Sequence, residues 1–245
     1  MATLQCRGTQ FAEVQAVIFD KDGTLANVES FLRSLAQRRA RLIDAQVPGV
    51  QEPLLMAFGI DSDQINPAGL MAVGSRQENE IAAAAYVAET GQDWVKALNI
   101  VHKAFVEADK GTQRKADDTP LVNGAFPLLQ RLTDAGLTLA LLSSDSDRNV
   151  QDFVAKYQLE NFFSVQVGVD GFLSKAEPQL LEKVMAQLGT VSERTVVVGD
   201  SDLDLQIARS LGARGYIGVT GGWSKCPHIH ADVLVEHLSE IEVVT

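Results

Sequence analysis

The sequence has few cysteines, no long apolar run and no excess of basic residues. Its 245 residues include two cysteines, Cys6 and Cys226, too few for a disulfide framework, and both are predicted to be reduced thiols. No apolar stretch approaches the roughly 18 residues that a membrane-spanning helix needs, so no membrane span is expected. Residues 1–12 lack the charged start and apolar run of a secretory signal, and we therefore expect a cytoplasmic location.

Acidic residues outnumber basic ones by 32 to 21, which gives a formal net charge of −11. This charge argues against nucleic acid or an anionic membrane surface as a partner. Residues 29–116 hold 10 basic and 11 acidic side chains, and the other residues hold 11 and 21. The asymmetry predicts two modules. An anionic substrate in the acidic module would need a local cation or a well placed lysine.

Short apolar runs rich in Val, Ile and Leu predict a parallel α/β sheet, because polar or glycine residues and then a helical pattern follow each of them. The runs are 14–19, 137–142, 162–167, 195–198 and 216–219. About 120 residues separate the first two, far more than one crossover connection needs. Something is therefore inserted between them.

The inserted stretch shows helical periodicity and almost no strand pattern. Helices are predicted over 30–45, 75–89 and 92–110, with Gly and Pro breaks between them. We therefore predict a Rossmann-like parallel-sheet core in residues 1–28 and 117–245, with an all-helical domain inserted over residues 29–116.

The first apolar run ends in the sequence FDKDGTL, residues 19–25, where Asp20 and Asp22 lie two positions apart. Residues two apart in an extended stretch point the same way, so both carboxyl groups can face one pocket at the carboxyl end of the strand. A bare Asp-x-Asp is more often a polar turn in which Asp caps a helix. The rest of the sequence has to decide between these two interpretations.

The stretch DKDGT resembles the first motif, DxDGT, of the haloacid dehalogenase superfamily. Three further motifs of that family follow in order. The run LALLS, ending at Ser143, resembles the second motif, and Lys175 in KAEP resembles the third. The run VVVGDSDLD resembles the fourth, with Asp200 and Asp204 at its acidic positions. The resemblance spans the chain and is closest to the subgroup of phosphoglycolate phosphatases and β-phosphoglucomutases, in which a helical C1 cap follows the first motif.

The resemblance implies a Mg²⁺-dependent phosphatase that acts on a small phosphorylated metabolite. Asp20 would be the nucleophile and form an aspartyl phosphate, and Asp22 would serve as general acid and then as general base. Ser143 and Lys175 would hold the phosphoryl oxygens.

The resemblance also implies a metal site. The ligands of Mg²⁺ would be Asp20, the backbone carbonyl of Asp22 and Asp200, with Asp204 holding a water or orienting the other ligands. Carboxylates that lie close together repel one another, and a hard divalent cation, which prefers oxygen ligands, offsets this repulsion.

Other activities on this fold stay open. A haloacid dehalogenase would lack the second aspartate, so Asp22 disfavours that reaction. A phosphonate-cleaving enzyme would need an imine-forming lysine in the insert, where Lys96, Lys103 and Lys110 are available but are predicted to face solvent. A sugar phosphomutase shares the aspartyl phosphate and differs in the acceptor. A non-enzymatic binding protein on this fold is the remaining alternative, and it should have eroded motifs.

Several further residues have plainer interpretations than a site. Cys226, His228 and His230 are predicted to form a polar loop rather than a metal site. The arginines 33, 38, 39 and 41 are expected to face solvent. Trp94 is predicted to lie in the core, Ser144 and Asp145 are predicted to be helix caps, and Trp223 has no assigned role. Substrate identity and oligomeric state cannot be predicted from the sequence.

Overall fold

A six-stranded parallel sheet forms the centre of the computed structural model, which describes residues 1–110, 114–170, 172 and 174–244. All five predicted runs are strands of this sheet, which confirms the predicted α/β class. A sixth strand at one edge was missed because it has only three residues. In spatial order the strands are β10 (Val233–Val235), β9 (Gly215–Val219), β8 (Thr195–Gly199), β3 (Ala16–Phe19), β6 (Thr138–Leu142) and β7 (Phe163–Val167).

Both faces of this sheet are covered, because alternate residues of each strand point to opposite sides. Val17 and Phe19 pack into one hydrophobic cluster with helices α6 (Ala125–Asp134) and α7 (Asp147–Lys156). Ile18 packs into the other cluster, with α8 (Pro178–Leu188) and α9 (Asp202–Leu211). The strands are therefore buried on both faces, and their polar ends are left for a site.

Helices make up most of the chain between β3 and β6, as predicted. They are α1 (Glu29–Asp44), α2 (Gln51–Phe58), α3 (Leu70–Val73), α4 (Arg76–Glu89) and α5 (Trp94–Lys110). Ser75 begins α4 in a capping box with Glu78, which satisfies backbone donors at both positions. The insert is not all-helical as predicted, because it also contains two short antiparallel strands, β4 (Ile60–Asp61) and β5 (Gln64–Ile65).

The two connections between the sheet and this helical insert run side by side. The amide of Asn27 donates to the carbonyl of Pro120 at 2.8 Å, and the amide of Val122 donates to the carbonyl of Leu25 at the same distance. A short 3₁₀ turn, Lys115–Asp117, precedes the return to the core. The outgoing connection thus continues the loop that follows β3, and the return connection passes beside that loop before α6.

A second, antiparallel sheet joins the two ends of the chain and was not predicted. Its strands are β1 (Ala2–Cys6), β2 (Thr9–Val14) and β11 (Glu242–Val244), with β1 in the middle. Both cysteines are free thiols: Cys6 is buried in β1, where burial raises its pKa to about 12, and Cys226 is exposed. No helix among the described residues is long and apolar enough to cross a bilayer.

Candidate active site

The motif residues meet at one edge of the sheet because parallel strands present their carboxyl ends on the same side. Asp20 directly follows β3, Ser143 follows β6 and Asp200 follows β8. Since β3 lies between β6 and β8, Asp20 is central in this group. All three residues are buried, and all three line one cavity.

Lys175 connects two of the carboxylates. Its Nζ lies 2.5 Å from Oδ1 of Asp20 and 2.7 Å from Oδ1 of Asp204. The other oxygen of Asp204 accepts hydrogen bonds from the amide and the hydroxyl of Ser201 at 3.1 and 2.6 Å. Asp204 therefore both caps α9 and faces the ammonium group.

Asp200 is held by two donors from different loops. Oγ1 of Thr24 lies 2.9 Å from its Oδ1, and the indole nitrogen of Trp223 lies 2.6 Å from its Oδ2. Gly23 has a φ of +85°, and a side chain there would collide with both Asp200 and Trp223. The glycine of DxDGT therefore allows the first motif to pack against the fourth, and Trp223, which had no assigned role, orients Asp200.

Burial and neighbouring charges together set the pKa values in this cluster. Burial raises the pKa of Asp20 to about 6, against the lowering effect of Lys175, and the charge of Asp204 adds to the rise. Burial and the charges of Asp20 and Asp204 raise the pKa of Asp200 well above its usual value, although the bond from Trp223 lowers it. Burial lowers the pKa of Lys175, but the two carboxylates outweigh this effect and raise it overall. The lysine is therefore fixed in its charged form.

The same cluster has the donor atoms of a cation site. Asp20, Asp200 and Asp204 each offer a carboxylate oxygen, and these oxygens lie within 4.8 Å of one another. Among the described residues this is the one group of His, Cys, Asp and Glu side chains placed closely enough to hold a metal. Buried carboxylates that repel one another fit a hard divalent cation with oxygen ligands.

A second charged cluster, which the sequence did not predict, surrounds Asp22. Lys21 and Lys115 both form ion pairs with Asp22, and both also contact Oδ2 of Asp145, at 2.8 and 2.5 Å. Burial raises the pKa of Asp145, but the charges of Lys115 and Lys21 outweigh it and hold the pKa below its usual range. Asp145 is therefore an ion-pair partner and not the helix cap that we predicted.

The cavity lies between the sheet edge and the insert and has a volume of about 960 Å³. Asp20, Asp22 and Ser143 line it from the sheet side, and residues such as Phe31 and Arg39 line it from the insert. Ser144 donates to the carbonyl of Val73 in the insert at 3.1 Å, and Ser146, not Ser144, caps α7. A ligand near Asp20 would thus touch both parts of the chain.

Two predictions about the insert are wrong. Arg39 is only 6% exposed, because it lies on the buried face of α1 with its guanidinium 4.1 Å from the ring centre of Phe105. Burial lowers the pKa of Arg39 to about 10, partly offset by Asp109. Trp94 is 47% exposed, because it is the first residue of α5.

The remaining residues singled out from the sequence lie outside the cavity. Arg33, Arg38 and Arg41 are exposed or half-buried on α1, and Lys96, Lys103 and Lys110 are exposed on α5. Cys226, His228 and His230 are exposed in the loop after β9. None of these residues is among those that line the cavity.

Comparisons with known proteins agree with this geometry. Residues 14–212 match the family described as haloacid dehalogenase-like hydrolase. The phosphoglycolate phosphatase of Aliivibrio fischeri is 24% identical over 211 residues, which cover 84% of this chain and 84% of that protein. The tyrosine-protein kinase PtkA of Mycobacterium tuberculosis is 28% identical over 211 residues, which cover 85% of this chain but only 62% of the kinase.

A solved structure supports the fold. That of a predicted phosphoglycolate phosphatase from Haemophilus somnus matches with a TM-score of 0.68 at 18% identity, covering 94% of this chain and 96% of that one. The family match covers well over half of the chain, in agreement with the four motifs. The protein therefore belongs to the haloacid dehalogenase-like hydrolases, as the sequence predicted.

Proposed function

We propose that this protein is a phosphatase that hydrolyses a small phosphomonoester through a phosphoaspartate at Asp20. The observation that carries the proposal is the buried contact of Lys175 with Asp20 and Asp204, at 2.5 and 2.7 Å. Lys175, Asp20 and Asp22 all line the same cavity. Phosphoryl transfer by this route requires a carboxylate nucleophile, a fixed ammonium group and a second carboxyl group, and this cavity holds all three.

In the first step Asp20 attacks phosphorus. Lys175 occupies its Oδ1, while Oδ2 accepts no hydrogen bond from the described residues and is the oxygen that attacks. The bond from phosphorus to the ester oxygen breaks, and Asp22 gives its proton to that oxygen, so that an alcohol leaves. Ser143 donates to a phosphoryl oxygen, and Lys175 offsets the charge that develops there.

In the second step water attacks the phosphorus of the phosphoaspartate. Asp22, now a carboxylate, takes the proton from that water. The bond from phosphorus to Asp20 breaks, which releases inorganic phosphate and restores both aspartates. One ester and one water thus become one alcohol and one phosphate.

Mg²⁺ is the cation that we propose for this cluster. Asp20, Asp200 and the backbone carbonyl of Asp22 would be its protein ligands, and Asp204 would hold a water or orient the other ligands. When bound, Mg²⁺ would offset negative charge on the phosphoryl oxygens.

We further propose that residues 29–116 form a cap over a catalytic core made of residues 1–28 and 117–245. The cavity lies between these two parts, and their two connections run side by side in antiparallel orientation, next to the loop that holds Asp22. The cap would cover the leaving group and exclude water, and it would therefore select the substrate. A substrate of the phosphoglycolate or sugar phosphate type fits a cavity between the core and such a cap.

Transfer to an acceptor other than water is the second candidate function. The same chemistry serves a sugar phosphomutase, and the relative named as a tyrosine-protein kinase is the observation that favours a wider acceptor range. In either case phosphate would appear on a second molecule, or at a second position of the substrate, and not in solution.

The test is a panel of phosphorylated metabolites incubated with the purified protein, with separate measurement of inorganic phosphate and of new phosphoesters. We expect p-nitrophenyl phosphate and at least one metabolite to release inorganic phosphate, only after Mg²⁺ is restored to chelated protein. New phosphoesters without phosphate release would identify a transferase. No turnover of any kind would leave a binding protein.

A further inference from the structure

Two lysines hold the Asp22 carboxyl group from opposite sides. Nζ of Lys21 contacts Oδ1, and Nζ of Lys115 lies 2.7 Å from Oδ2. Both ammonium groups also reach Oδ2 of Asp145, so two lysines and two aspartates form a closed ring in which they alternate. Each carboxyl group in the ring contacts both ammonium groups, which fixes the direction of the Asp22 carboxyl group.

The two lysines differ in where they come from. The Lys21 side chain is 1% exposed and belongs to the loop of Asp22 itself. The Lys115 side chain is 11% exposed, lines the cavity and belongs to the 3₁₀ turn by which the chain returns from the insert. Its Nζ also lies 5.5 Å from the ring centre of Phe31 on α1. Lys115 therefore contacts the insert and the core at once.

We propose that Lys115 is a positioning residue, which directs the carboxyl group of Asp22 towards the leaving-group oxygen. It also links the orientation of this carboxyl group to the segment by which the chain returns from the insert. The inference rests on the proposed role of Asp22 as the general acid. A displacement of about 1 Å in a reacting group can cost on the order of 10²-fold in rate. The contact of Lys115 with one oxygen of Asp22 is therefore expected to affect the reaction rate as well as folding.

The choice of leaving group isolates this effect. An alkoxide needs a proton as it leaves, whereas p-nitrophenolate leaves readily without one, so only the alkyl ester depends on a well-aimed acid. The ratio of kcat/KM for an alkyl phosphate to kcat/KM for p-nitrophenyl phosphate therefore falls when Asp22 no longer donates its proton well. General loss of folded protein lowers both values and leaves the ratio unchanged.

The experiment compares Lys115→Gln with Lys156→Gln. Lys156 pairs with Asp117 at 2.5 Å in the same 3₁₀ turn, but it does not line the cavity. We expect the ratio to fall about tenfold or more in Lys115→Gln, to recover largely in Lys115→Arg, and to stay at the parent value in Lys156→Gln. An unchanged ratio in folded Lys115→Gln, or an equal fall in Lys156→Gln, would overturn the inference.

Two further variants keep the outcome clear. If Lys115→Gln does not fold, Asp145→Asn removes the group that anchors both lysines, and the ratio should fall there too; an unchanged ratio would again overturn the inference. Asp22→Asn is measured in parallel. If it spares the alkyl phosphate, the acid role in the proposed function is wrong. If it lowers that rate while Lys115→Gln does not, only the inference about Lys115 is wrong.

Discussion

Replacing Lys175 by methionine should destabilise the protein strongly, because Asp20 and Asp204 would remain buried without their shared ammonium group. Removing one partner of a buried ion pair typically costs about 3–5 kcal/mol. We expect a loss of that size in the free energy of unfolding at pH 8 in the presence of chelator. Asp204 keeps its two bonds from Ser201, so most of the cost falls on Asp20.

The loss should depend on pH in a defined direction. The pKa of Asp20 is already raised to about 6 in the parent, and loss of Lys175, which lowers it, raises it further in the variant. A carboxyl group whose folded pKa is raised favours the folded state most at low pH, and this contribution is lost as the pH rises through that pKa. The parent has lost this contribution by about pH 6, whereas the variant continues to lose it at higher pH. The difference in unfolding free energy between the two proteins therefore grows above pH 6, by roughly 1.4 kcal/mol for each further unit by which the pKa of Asp20 is raised.

Urea unfolding of the parent and Lys175→Met at pH 5 and pH 8, both with chelator, measures this deficit. Lys156→Met is the control, because its ion pair with Asp117 is exposed and its loss should barely move the transition. A deficit below about 1 kcal/mol at pH 8, as for an exposed pair, would refute the reasoning. So would a deficit that shrinks as the pH rises.

Three further substitutions test single contacts. Asp22→Asn should lower kcat for an alkyl phosphate by about 10² to 10⁴, and an unchanged kcat would remove its role as the acid. Trp223→Phe removes the bond to Asp200 at 2.6 Å and should raise the Mg²⁺ concentration for half-activation about 10- to 100-fold, whereas an unchanged titration would contradict the orienting role. Arg39→Met should leave the free energy of unfolding within about 1 kcal/mol of the parent or raise it, because Arg39 Nε is buried with no hydrogen-bond partner among the described residues and Asp109 keeps a second arginine. A loss above about 3 kcal/mol in denaturant unfolding would show that the buried guanidinium is needed for stability.

The sequence predicted the elements whose pattern is local. Runs of apolar residues located five of the six parallel strands, and the order of the motifs brought Asp20, Ser143 and Asp200 to one sheet edge. The N-terminal strands β1 and β2 were missed because their pairing with β11, from the other end of the chain, decides their fold.

The contacts around Asp22 could not be predicted because they are not local. Lys115 lies 93 residues from Asp22 in the sequence, and only the fold of the whole insert brings them together. Lys21 occupies a variable position of its motif, so the motif carries no information on it. Asp145 could have been suspected, because it follows Ser143 at the same sheet edge.

Helical periodicity correctly indicated the apolar faces of α1 and α5, but the burial predicted for one residue on each helix was wrong. Arg39 lies four residues after Leu35 and seven after Leu32, which places it on the apolar face of α1 and should have indicated burial. Trp94 lies in phase with Ala97 and Val101 on α5, yet it is exposed. Periodicity shows which face of a helix is apolar, but it does not show how far a partner extends along that face.

The central claim, that Asp20 carries the phosphoryl group, is tested most directly by trapping. Borohydride reduces an acyl phosphate of aspartate to homoserine, which mass spectrometry can locate in the chain. Protein quenched during turnover of p-nitrophenyl phosphate with Mg²⁺ should contain homoserine at position 20, and protein without substrate should contain none. Homoserine at another position, or steady turnover by Asp20→Asn within tenfold of the parent, would contradict the account.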